Sequence, residues 1–379
     1  MTMRKPNLFS GMNQNLYTKT MIVTSYIDLI RSKILLQFFK FPYLQSLYQK
    51  RHHRIQIGFL FTIVFSLTLA VLRSDILLIL GPFIYGYWHL ATSYKHSSSL
   101  ISSSFNLSNK QRYVLYGLAF VTFIEIFLHI YLRKYQGILL PNGFIGLSLA
   151  LVFFLFLFLK QGTIKRLPHF FFFLSLGIGI ILISWKEPLN FVSITLFAHN
   201  WIAFVAWGKF SRDKKNLRVS IVSLIIFALI HMIVISGFLD SYFYIYEDIF
   251  WKSSGHLDVA WLLAPWSDND IVWRRALCLY TFGLSMHYFI WLKAIPENVY
   301  NNKTPVSFKK SFNSIYNSYG AILTYSFLSL SIIGIIIWGI WYEIGSYLYF
   351  TISNMHVWTE LTMLFASFSI FGFSKKQLR

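Results

Sequence analysis

Apolar residues in this chain come in long unbroken runs separated by short polar stretches. Stretches of about 17 to 25 apolar residues, the length that carries a helix across a hydrocarbon layer, fall at 55–72, 76–94, 113–132, 138–159, 168–185, 188–208, 219–237, 276–292, 317–341 and 357–373. The pattern predicts an all-α, polytopic integral membrane bundle of about ten transmembrane helices over 55–373, and no internal repeat stands out within it. Gly81-Pro82 predicts a kink in the second span.

Three stretches fall outside the spans. In the basic segment 1–54, Ile27, Ile30, Ile34 and Phe38 recur at helical spacing, with Arg31, Lys33 and Lys40 among them. Residues 21–48 therefore read as an amphipathic helix lying on the inner leaflet, ended or bent at Pro42. Residues 238–275 carry Trp251, Trp261, Trp266 and Trp273 interleaved with acids, which predicts an external segment folded back on the membrane as a lid. A short basic tail, 374–379, closes the chain.

Composition agrees with the pattern: 56% of the 379 residues are hydrophobic and 13% are charged, far from the balance of a soluble domain. Residues 1–20 contain no apolar run ahead of a small-residue site, so no cleavable signal is expected. Cys278 is the single cysteine, which rules out an intrachain disulfide.

The net charge of +20 changes meaning once it is placed on the spans. With residues 1–54 in the cytoplasm, only Arg73, Arg133, Lys134, Lys186, Lys252, Arg274 and Arg275 of the 34 lysines and arginines fall on the far side. This is the positive-inside asymmetry. An even number of spans then places both termini in the cytoplasm, as in a bacterial inner (plasma) membrane protein. The charge marks sidedness, so the lipid bilayer is the expected partner and nucleic acid is not. No P-loop, dinucleotide fingerprint, Gly-x-Ser-x-Gly or His-Glu-x-x-His motif is present, and no nucleotide cofactor is expected. Asp268-Asn269-Asp270 lacks the later Gly and Glu of an EF-hand loop.

Chemistry is expected where ionisable residues sit at membrane depth, because they are costly there unless paired or bound. His89, His199 and His287 lie on the second, sixth and eighth spans, all running inward. Counted from Lys95, Lys209 and Lys293 at about 1.5 Å per residue, they share a layer roughly 9 to 15 Å from the inner edge. Three imidazoles in one layer suit a transition metal, with iron as the expected ion, and leave positions open for oxygen or substrate. Tyr94, Asn200 and Tyr288 are the candidate orienting and catalytic groups. His96 follows His89 on the same helical face.

A second set, Glu125, His129, His231, His356 and Glu360, is expected in the outer half, with two Glu/His pairs spaced i, i+4. It suits a proton path or a second site. The function expected is thus a His-ligated metal enzyme of oxygenase type acting on a lipid-soluble substrate. The alternatives are a proton-coupled transporter using the outer set, a b-type haem protein using two of the inner histidines, and interhelical glue, where each contact contributes about 1 kcal/mol or less.

Gly86-Tyr87-Trp88-His89 resembles, in kind, the Gly-x-Pro-His-Gly stretch of the polytopic bacterial membrane oxygenases of the Brp/Blh type, which cleave β-carotene. The Pro and the second Gly are missing here. The resemblance implies iron held by histidines from several spans.

Overall fold

The computed structural model describes residues 8–38, 40, 48–81, 86–105, 188–211, 213–245, 263–300 and 305–340, with single positions at 124, 128, 171, 175, 178, 179, 182, 186, 356, 357 and 360. Their regular structure is helical throughout, with no strand among the described residues. The helices are α1 (Leu8–Phe38), α2 (Arg51–Leu72), α3 (Ser74–Leu80), α4 (Tyr87–Phe105), α5 (Pro188–Phe210), α6 (Lys214–Ile235), α7 (Asp270–Phe289), α8 (Ile295–Tyr300) and α9 (Phe308–Ile340). Apart from the single positions just named, the expected spans at 113–132, 138–159 and 168–185, and most of 357–373, lie outside the described residues, as do Glu125 and His129.

Among the described residues, α2 and α6 are long and apolar enough to cross a membrane. Each has 22 residues, which at 1.5 Å per residue gives about 33 Å, slightly more than a hydrocarbon core. The side chains of α6 divide cleanly. Val219, Phe227, Ile230 and Val234 are buried, whereas Ile225, Leu229, Met232 and Ile233 are exposed. Its ends are set by local chemistry. The Asp213 carboxylate accepts from Asn216 N at 2.8 Å at the start, and Gly237 follows the last turn with φ +84°, the left-handed position that a glycine occupies without a Cβ penalty.

The central helix is α7. It packs on α2, α3, α5 and α6, and from Ala276 to Phe289 it is buried on every side except at Ser285. A helix apolar all round belongs in the middle of a bundle. Around it Phe59, Phe204, Trp207, Phe227, Phe282 and Phe289 form one aromatic core, with Phe227 and Phe282 stacked at 5.5 Å. The helix begins at Asp270, where Asn269 Oδ1 accepts from Ile271 N at 3.0 Å, so Arg274 and Arg275 belong to it rather than to a loop. Leu263 and Ala264, from the segment read as a lid, are buried against Val357 and Tyr280.

Pro296 does not stop the chain's helical course. The backbone widens over Ile290–Ala294, and Ile295 N donates to the Ile290 carbonyl before α8 begins. The wide turn absorbs the hydrogen bond that proline cannot make. The second predicted span is broken: α3 ends at Leu80 and α4 begins at Tyr87, with the backbone widened at Gly81 and Gly86. Helix α9 is interrupted at Gly320, where φ is +77°.

The N-terminal helix α1 starts earlier than the hydrophobic spacing over 21–48 predicts. It lies along α9 through its polar groups. Tyr17 Oη donates to Asn313 Oδ1 (3.0 Å), Arg31 donates to the Val306 carbonyl (2.8 Å), and Asp28 accepts from Phe308 N and Lys309 N. Ile22, Val23, Tyr26 and Leu29 stay exposed.

Candidate metal centre

Helix α4 starts next to a break, and this puts His89 near a helix end in the middle of the bundle. Its Nδ1 lies 3.2 Å from the Gly86 carbonyl. A carbonyl only accepts, so Nδ1 carries the proton and Nε2 presents a lone pair. His199 is fixed in the same way, with Nδ1 2.7 Å from the Leu196 carbonyl. Backbone bonds of this kind set the tautomer and aim of metal-binding imidazoles.

Nε2 of His89 lies 2.7 Å from Nε2 of His287 on α7. Nε2 of His356 is 3.5 Å from that of His287. The Glu360 carboxylate closes the group: its oxygens lie 3.2 Å from His356 Nε2, 3.7 Å from His287 Nε2 and 3.9 Å from His89 Nε2. His356 and Glu360 are both helical and spaced i, i+4, which puts the imidazole and carboxylate on one face. All four side chains are buried, at 4% exposure or less.

His89, His287, His356 and Glu360 therefore form a group that can hold a metal ion, their ligand atoms all within 4.8 Å of one another. The separations, 2.7 to 3.9 Å, bracket those expected around one ion. Two ligands about 2.1 Å from one ion, at tetrahedral or octahedral angles, lie about 3.0 to 3.4 Å apart. The polar balance points the same way. Two imidazole lone pairs at 2.7 Å repel unless a proton or a cation sits between them. Neither oxygen of Glu360 accepts a hydrogen bond, and a buried carboxylate without donors calls for a positive charge.

The structure joins residues that the hydropathy pattern assigns to different layers. His356 and Glu360, expected in the outer half, meet His89 and His287. His199 stands beside the group but is not one of the four, its ring 4.6 Å from that of His287 and 6.3 Å from that of His356. Counting residues from a lysine gives depth along one helix and not which helices face one another. Lys95 donates to the Ser314 carbonyl (2.7 Å) and Lys293 donates to Glu297 (2.8 Å), so each is held by a protein partner. The i, i+4 spacing of His356 and Glu360 was the signal available in sequence for their pairing.

The other expected residues scatter. His231 is not brought to the group: its Nδ1 donates to the Phe227 carbonyl (2.9 Å) and its ring lies 5.0 Å from Trp201. The Tyr288 ring lies 4.9 Å from that of His89 and is buried. Asn200 is buried beside Gly283, with Oδ1 unpartnered. Tyr94, half-buried, is five residues on from His89 and so about 140° around α4 from it. Leu78, Leu284, Tyr288 and Val357 belong to an apolar cluster flanking the histidines, and such a shell limits access of bulk water to a site.

No known protein family matches the chain, and neither curated proteins nor solved structures give a significant match.

Proposed function

We propose that this chain is a polytopic membrane protein of about ten spans with both termini in the cytoplasm, and that it is an iron-dependent oxygenase acting on a lipid-soluble substrate. The observation that carries the reading is the buried convergence of His89, His287, His356 and Glu360. Two or three imidazoles with one carboxylate suit non-haem iron(II). The ion would supply oxygen activation at coordination positions the protein leaves open. His89, His287, His356 and Glu360 hold it, His199 supports His287, and Tyr288 and Asn200 orient what binds beside them.

The membrane part of the reading is supported by the apolar residues that face outward. On α2, Leu60, Phe61, Val64 and Phe65 are 53 to 69% exposed, and contiguous apolar surface of this kind is rare on soluble monomers. A haem held between His89 and His287 is less well supported. Axial nitrogens on one iron stand about 4 Å apart, two bonds of about 2 Å each, and these two are 2.7 Å apart.

Metal analysis of the detergent-purified protein by mass spectrometry tests the proposal. About one iron per chain is expected. Protein that stays metal-free after incubation with iron(II), cobalt(II) and zinc(II) refutes it.

A further inference from the structure

Four of the buried side-chain polar atoms that lack a hydrogen-bond partner among the described residues lie on α4, α5, the wide turn and α8. Ser97 Oγ on α4, Trp207 Nε1 on α5, Trp291 Nε1 in the wide turn and Asn298 Oδ1 on α8 are each buried, in residues at most 3% exposed, and each lacks a hydrogen-bond partner. Folded proteins leave few such groups, because each costs the full desolvation of a donor or acceptor.

Contacts through neighbouring residues link these four groups into one layer. Trp291 is one turn beyond His287, with its ring 6.4 Å from that imidazole. Trp291 also packs against Phe210, at 6.4 Å. Phe210 in turn lies 5.8 Å from His96, the neighbour of Ser97. Asn298 Nδ2 donates to Ser211 Oγ at 3.4 Å, and Ser211 Oγ donates to the Trp207 carbonyl at 3.0 Å. The layer therefore runs from the histidine–glutamate group toward the end of the bundle that carries Lys95, Lys209 and Lys293. The wide turn at Ile290–Ala294 sits in its course, and such turns favour functional sites.

Donors and acceptors that are buried, unpaired and adjacent are the usual lodging of ordered water, which satisfies two to four such groups at once. We propose that this layer is a water-filled inlet that admits water and protons to the buried His89/His287/His356/Glu360 group from the lysine-bearing end. Trp291 lines its inner end, with its ring 6.4 Å from the imidazole of His287 and 6.4 Å from the ring of Phe210. The inlet depends on the metal-centre reading for its purpose, but its existence is a separate matter.

Thiol accessibility tests it in the full-length chain. Ser97→Cys and Asn298→Cys are made separately and reconstituted in lipid vesicles. A small charged methanethiosulfonate is then applied from each side. The native Cys278, wholly buried on α7, serves as the internal reference, and Ile225→Cys on the exposed apolar face of α6 reports a lipid-facing position. Both inlet cysteines are expected to react at least about tenfold faster than Cys278, from one side only, because thiol modification follows water exposure. Reaction no faster than that of Cys278 at both positions, in protein that elutes as a single species, overturns the inlet. Metal content measured on the same samples separates the two readings. Reactive cysteines in metal-free protein keep the inlet and remove the metal centre, whereas unreactive cysteines in metal-loaded protein do the reverse.

Discussion

The ring nitrogens Nε2 of His89 and His287 face each other at 2.7 Å although the residues are 198 positions apart. His89 is aimed by the Gly86 carbonyl and His287 by the packing of α7, and neither nitrogen is satisfied by the other unless a proton or cation lies between them. A metal ion at this point has measurable consequences. His89→Ala, His287→Ala and His356→Ala are each expected to abolish bound metal in mass spectrometry. His199→Ala, a neighbour of the ligands, is expected to weaken binding about 10- to 100-fold. His231→Ala, whose imidazole donates to the Phe227 carbonyl of its own helix, should leave metal content unchanged, and its loss there would point to general unfolding instead. Adding metal at about a hundred times its Kd should stabilise the protein by roughly 3 kcal/mol against thermal unfolding.

Arg54 and Glu297 form a wholly buried ion pair at 2.9 Å, and Arg54 also donates to the Gln49 carbonyl at 2.8 Å. Removing one partner of such a pair leaves an uncompensated buried charge, at a cost of about 3 to 5 kcal/mol. Glu297→Gln is expected to lower the thermal midpoint accordingly at pH 7. A variant as stable as the parent would mean that the pair is solvated.

The same carboxylate sets an acid limit. Burial alone would raise the Glu297 carboxyl, but Lys293 and Arg54 together hold it below the usual carboxylate range. Its contribution to stability is present above the unfolded value of about 4.5 and is lost as pH falls through the lower folded value. A profile of thermal midpoint against pH should therefore fall less steeply below about pH 4.5 in Glu297→Gln than in the parent. Parallel profiles would assign the acid limb to other groups.

Gly283 on α7 is where the Asn200 side chain crosses. A Cβ at position 283 would stand 2.7 Å from Asn200 Nδ2 and 3.3 Å from its Cγ. Alanine is the better helix former by about 1 kcal/mol, yet Gly283→Ala is expected to destabilise by about 1 to 3 kcal/mol through overpacking. The double variant Gly283→Ala/Asn200→Ala should recover most of that loss. Additive effects of the two changes would show that they do not touch.

Gly237 combines a left-handed backbone with a crowded side. The Arg275 guanidinium, paired with Asp240, passes where a Cβ would project. Gly237→Ala should cost about 1 to 2 kcal/mol from the backbone alone, and more where the Arg275–Asp240 pair is displaced. Chemical denaturation of the purified protein would measure it, and a neutral result would show that the turn relaxes.

The sequence by itself determined the helical class, the placing of most described helices and the residues with chemistry to offer. These are local properties, because apolar run length, an Asn or Asp cap and a costly histidine in an apolar run act through neighbouring residues. Tertiary structure decided which of those residues meet. Gly81-Pro82 signalled the kink in the second span, but the hydropathy pattern gave no sign that Lys95 and Lys293 bond to protein partners, or that His356 and Glu360 join His89 and His287 while His199 stands one ring away. Convergence of this kind depends on how helices far apart in the chain rotate and pack, and the pattern along one helix is the same for many such packings.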